Sequence, residues 1–262
     1  MRIIVSSLIA IYRKELQSYF ASPFAYVIAG VFWLLSGIMF LWILQASVVE
    51  AATSDQFGLS TPIDVPFNVI LGFSGAVFFI SLFLLPMLSM GLYAEERKRG
   101  TLELLATSPL TNWVVALGKL LGVLTFFITM VIPLVVYETL ALMPAEPPMQ
   151  LSVLLLGHLG LILMAAAVLS IGMFISSLTD SSILAAILTF VIVAFLLILN
   201  GIAGIFSGPV GDTLGHLSLL FHYGNLTRGI LDSSSIILFL SYAVLGLFLT
   251  AQAIEAFRFQ RS

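Results

Sequence analysis

Apolar residues in this chain gather into long runs instead of alternating with polar ones. Six runs stand out: Phe24–Ala46, Phe67–Leu92, Trp113–Tyr137, Leu151–Ser177, Ile183–Phe206 and Ile236–Phe257. A helix needs about 20 apolar residues to cross a hydrocarbon core about 30 Å thick. Backbone groups inside that core find no water, so each run must satisfy its own hydrogen bonds as a helix. The pattern predicts six transmembrane helices. Pro133 falls near the end of the third run, where a kink is tolerated, and Pro86 predicts a bend near the end of the second. Small residues mark the fourth run (Ala165, Ala166, Ala167, Ser170, Gly172) and the second (Gly72, Gly75, Ala76) as closely packed elements.

The first 22 residues read differently. Ile4, Leu8, Ile11, Tyr12, Leu16 and Tyr19 share one helical face, while Arg13, Lys14 and Glu15 interrupt the run. That is too polar to span, and no small-residue cleavage site follows as in a signal peptide. It predicts an amphipathic helix lying in the membrane interface. The connections are short, except for 207–235, which is half apolar with Leu214, Leu217, Leu220 and Phe221 at helical spacing.

Composition and charge sharpen the class. Hydrophobic residues make up 60% of the 262 and charged residues 9%. A soluble domain carries about 25% charged residues, because its surface must face water. A net charge of −3 implies no nucleic-acid partner, and the absence of cysteine excludes disulfides and thiolate metal sites. Placement of the cations sets orientation. Arg2, Arg13, Lys14, Arg97, Lys98, Arg99, Arg258 and Arg261 share one side, Lys119 lies close to it, and Arg228 alone falls opposite. Both termini are expected in the cytoplasm.

Little catalytic chemistry is present. A phosphate-binding loop needs Gly-Lys followed by Ser or Thr, but Gly118–Lys119 is followed by Leu120. His158, His216 and His222 lack metal-site spacing; His158 is expected as a polar residue inside the bundle or near its outer face, the other two as solvated or structural. Ion-coupled carriers place ionisable groups deep in the membrane. The helix centres here hold none, with Glu50 and Glu138 at outer ends. Ser74, Ser81 and Asn200 are the strongest polar groups within helices and the candidate pathway residues.

The densest charge is Glu95–Glu96–Arg97–Lys98–Arg99, followed by Gly100–Thr101–Leu102–Glu103–Leu104–Leu105 and Ser108–Pro109. Leucines beside mixed charge in a polar connection suggest a docking surface. A membrane protein with such a surface and no motor of its own suggests a soluble motor bound in trans.

This segment, with Leu117–Gly118–Lys119 after it, resembles the coupling segment of ABC-2 type transporter permeases. Lys14–Glu15–Leu16–Gln17–Ser18–Tyr19–Phe20–Ala21–Ser22–Pro23–Phe24–Ala25–Tyr26–Val27 resembles the N-terminal segment of the branch that includes gliding-motility permeases. Ile171–Gly172–Met173–Phe174–Ile175–Ser176–Ser177–Leu178–Thr179, His222–Tyr223 and Thr227–Arg228–Gly229–Ile230–Leu231–Asp232 are similar to that branch too. The resemblance implies an all-α integral membrane fold in one domain, 1–262. It comprises an interfacial helix (1–22), six transmembrane helices, a cytoplasmic coupling segment (95–109) and short outer re-entrant helices (207–235), where Leu217, Phe221, Arg228 and Asp232 are singled out. It further implies a half-transporter in a bacterial cytoplasmic membrane. Two such permeases, identical or related, would pair with two ABC ATPase subunits, with an accessory membrane or periplasmic protein as a further partner. ATP and Mg would bind the ATPases, and this chain would hold no cofactor. The apolar, aromatic helices favour lipid-like or amphipathic cargo, with a glycan as the second class. The competing readings are a motor-free channel or ion-coupled carrier, and a non-transporting anchor of an ABC complex.

Overall fold

A computed structural model describes residues 2–56, 63–101, 111–206 and 208–259, side chains 2, 3, 55 and 257–259 excepted. The described residues form helices and connecting turns, with no strand among them. In chain order the helices are α1 (Arg2–Ala21), α2 (Pro23–Gln56), α3 (Val65–Ser89), α4 (Gly91–Lys98) and α5 (Asn112–Leu142). They continue with α6 (Leu151–Leu178), α7 (Ser182–Ala203), α8 (Pro209–His216), α9 (Leu219–Thr227) and α10 (Ser233–Phe259). Among the described residues, six stretches are long and apolar enough to cross a membrane: α2, α3 with α4, α5, α6, α7 and α10. The six expected spans are all present. α2 runs ten residues past the expected Ala46, since nothing in Ser47–Gln56 breaks a helix.

Helix α6 is the hub. It packs on α3, α4, α5, α7, α9 and α10, and its most apolar stretch is 72% buried. Lipid tails are as apolar as leucine, so helix association in a bilayer depends on close packing and hydrogen bonds. Small residues supply the closeness. Ala165, Ala167 and Ser170 are fully buried, and a side chain on Gly246 of α10 would meet the Ser170 carbonyl carbon at 2.6 Å. Gly172 lies against Ser89 of α3. Of the small residues in α3, Gly72 meets Ile43 of α2, whereas Gly75 faces open space.

The two prolines act differently. Pro86 has no N–H to offer the carbonyl one turn earlier, and α3 ends at Ser89. The chain restarts as α4, where the first turn's orphan N–H groups need acceptors. Ser176 Oγ of α6 accepts from Tyr93 N (3.0 Å) and Ala94 N (2.9 Å) and donates to Met90 O (2.7 Å). Around Pro133, α5 stays continuous, and Trp33 Nε1 of α2 donates to Met130 O at 2.9 Å.

The outer faces of α2 and α7 remain apolar and exposed, with Leu41, Trp42, Ile183, Val191, Phe195 and Ile198 each more than half accessible. Such surface suits lipid or a second membrane chain.

Candidate functional site: a charged junction beneath the bundle

The junction begins with a spacing in α5. Gly118 and Gly122 lie one turn apart and present a flat strip. A Cβ on Gly118 would sit 2.8 Å from Ile11 Cγ2, and one on Gly122 would sit 2.7 Å from Glu15 Cβ. Helix α1 therefore lies directly on α5. That contact delivers Glu15 to Lys119, which the same turn of α5 carries.

Lys119 is 3% exposed and its ammonium uses all three protons. Nζ donates at 2.9 Å to Glu15 Oε1 of α1, to Leu92 O and to Glu96 Oε1, both of α4. The Tyr93 ring stands 5.0 Å from Nζ. One cation thus holds three helices together. A fourth joins through the Ser176 bonds and through Arg97 Nη1, which donates to Ser177 O at 3.0 Å. Tyr19 of α1 donates to Leu88 O at 2.6 Å, tying α1 to the end of α3. Burial pushes the Tyr19 phenol well above its ordinary value, and Glu15 and Glu95 push it further, so it remains a donor.

The expected coupling residues divide here. Glu96 is turned to Lys119 inside the chain, where a contact with an outside partner was expected for it. Arg97 is anchored on α6. Glu95 is exposed and, among the described residues, pairs with Arg99 at 3.4 Å across one helical turn, a pairing worth little in water. Gly100 closes α4 in the left-handed region at φ +70°, which suits glycine, and Thr101 N returns to Glu96 O at 2.9 Å. Leu102, Glu103, Leu104 and Leu105, with Ser108 and Pro109, lie outside the described residues. The junction is therefore the root from which that segment departs. Glu15 and Tyr19 were absent from the expected site; the sequence signal for them was a Gly-x-x-x-Gly whose first glycine is followed by a lysine, in an apolar run.

At the other end of the bundle, 208–235 folds as the short helices α8 and α9. Phe221 sits edge-on to His222, with ring centres 5.1 Å apart. Leu217 O accepts from Tyr242 OH at 2.9 Å. Arg228 caps the end of α9. Asp232 accepts from the Ser234 amide at 3.1 Å and from the Ser234 hydroxyl, starting α10. His222, expected to be solvated or structural, is buried between Ser235 Oγ (2.9 Å) and His216 O (3.0 Å). The candidate pathway residues do not converge. Ser74 and Ser81 are buried on α3, Ser74 O accepting from Tyr223 OH at 3.0 Å. Asn200 is exposed on α7, beside a cavity of about 470 Å³ with Asp212 and His216.

Residues 60–251 match a protein-family model described as ABC-2 family transporter protein. A comparison with curated proteins finds no match. The match spans well over half of the chain and takes in α3 through most of α10, including Lys119, Glu96 and the Ser176 anchor. The family match makes the six-span bundle the membrane subunit of an ABC transporter, and this chain belongs to the ABC-2 transporter family.

Proposed function

We propose that this chain is the permease half of an ATP-driven exporter, paired with a second permease and docked on two separate ATPase subunits. Force enters through 100–108 and passes into the bundle through the Lys119 junction. The observation that carries this reading is the triple contact of Lys119. It joins α4, from which the coupling segment departs, to α1 and α5 by three bonds of 2.9 Å. A displacement of the segment cannot stay local when its root is fixed to two other helices. Glu95, Glu103, Leu102, Leu104 and Leu105 form the docking surface, leucines in a groove of the motor and carboxylates at its rim. ATP and Mg stay with the motor. The cargo is lipid-like or amphipathic, in keeping with the apolar faces of α2 and α7, and both termini face the cytoplasm of a bacterial inner membrane.

The test is co-purification. Burial of one leucine is worth about 1.5–3 kcal/mol, and about 1.4 kcal/mol changes affinity tenfold. Leu104→Asp with Leu105→Asp should leave the permease inserted and strip off the ATPase, with affinity down by roughly two to four orders of magnitude. Retention of the ATPase at the wild-type level would move the docking surface elsewhere.

A further inference from the structure

Glu138 of α5 and His158 of α6 meet inside the bundle, far from Lys119. Lys119 and Glu138 share α5 and stand 19 residues apart, about 28 Å along the helix. Glu138 was expected at an outer helix end. It lies near the end of α5 and is fully buried there, and His158 is 8% exposed. His158 Nε2 lies 3.5 Å from Glu138 Oε2. Neither Glu138 oxygen has a hydrogen-bond partner among the described residues.

The surroundings offer no compensating charge. No Lys or Arg of the described residues is within ion-pair distance of Glu138. From the packed elements, α9 contributes the phenol of Tyr223, α3 contributes Phe73 and Ser74, and α2 contributes Phe40 against the neighbouring Tyr137. α10 contributes no ionisable group within ion-pair distance. The crevice beside His158, between Ser74, Gly157 and Tyr223, has no room for a water molecule.

The imidazole's tautomer follows from its other nitrogen. His158 Nδ1 lies 2.9 Å from Leu154 O, and a carbonyl only accepts, so Nδ1 carries a hydrogen. Nε2 is the atom left to face the carboxyl. If both Nε2 and Oε2 were bare, two lone pairs would oppose each other beside an unpaired buried charge, a costly state. A single proton between them removes both penalties, whichever atom holds it. No larger ligand fits.

We propose that Glu138 and His158 form a one-proton binding site that clasps α5 to α6. It is independent of the transport reading. Alkaline pH removes the proton and loosens the clasp.

The experiment is the thermal-unfolding midpoint of the purified chain in detergent, followed from mildly acidic to alkaline pH. The wild type should lose stability on the alkaline side. Glu138→Gln should not, because its amide N–H keeps donating to bare Nε2. The difference curve should correspond to one proton per chain; titrations elsewhere cancel. A second variant, Glu138→Met with His158→Leu, removes both polar partners at similar volume and should be equally flat. It answers the question if the glutamine variant does not fold. An alkaline decline of wild-type slope in the variants, or no decline in the wild type, would overturn the proposal.

Discussion

Lys119 is buried between two carboxylates that are themselves mostly shielded from water, so its loss exposes both to each other. Breaking a buried ion pair by removing one partner costs about 3–5 kcal/mol. Lys119→Met should therefore lower the unfolding midpoint and the yield of folded protein. Adding Glu15→Gln and Glu96→Gln should restore most of that stability, because the leftover charges go too. Midpoints of the single and triple variants in the same detergent check this. His222 sets a second expectation. Burial holds its imidazole below the ordinary value of 6.5, partly offset by its bond to His216 O. The unfolded chain then takes up a proton before the folded chain does, so stability is full above about pH 6.5 and falls as pH drops below it. Asp232, held below its ordinary value by its Ser234 bonds, acts in the same direction at lower pH. Hydrogen exchange across 208–235 should quicken as pH falls, after correction for intrinsic rates. Unchanged protection between neutral and acidic pH would contradict it. Neither Lys119 nor His222 could be placed from sequence: Lys119 meets a residue 104 positions away, a distance no local pattern encodes.

At the scale of elements, what the membrane demands was legible and what the partners supply was not. The six spans follow from run length alone, because lipid permits few other solutions. Pro86 announced the break before α4, but not the Ser176 hydroxyl that caps the new helix. The small residues of α6 announced a buried helix. In α3 the same signal held at Gly72 and failed at Gly75, since smallness permits contact without requiring it. The clash at Gly172 makes a direct test. A Cβ there would approach Ser89 Oγ to 2.0 Å, beside the break itself. Gly172→Leu should force α3 and α6 apart and reduce folded yield severalfold, measured by size-exclusion chromatography. Gly172→Ala should be milder but still costly, because turning the Ser89 hydroxyl aside leaves its Cβ 2.7 Å from the new one. A fully stable Gly172→Leu protein would contradict the close approach.

At the scale of the whole molecule, the two ends of the bundle are chemically distinct. One carries the Lys119 junction and, among the described side chains, every Lys and Arg but Arg228. The other carries α8, α9 and the Glu138–His158 pair. The positive-charge rule predicts that the first end faces the cytoplasm. A cysteine at Ser234 is then the sole thiol in the chain and should react with an impermeant reagent in intact cells. Reaction only after lysis would invert the orientation. The exposed faces of α2 and α7 leave room for a second permease, and the root of 100–108 leaves room for a motor. In the proposed mechanism the junction carries force from the motor into the bundle, so the most direct measurement is of coupling through it. The variant Lys119→Met with Glu15→Gln and Glu96→Gln should be reconstituted in nanodiscs with the ATPase. ATP hydrolysis by the complex is then compared with hydrolysis by the ATPase alone. The expected result is a variant that inserts and binds the ATPase at the wild-type level, yet no longer alters its hydrolysis rate. A variant that binds the ATPase and changes its rate as the wild type does would contradict coupling through Lys119.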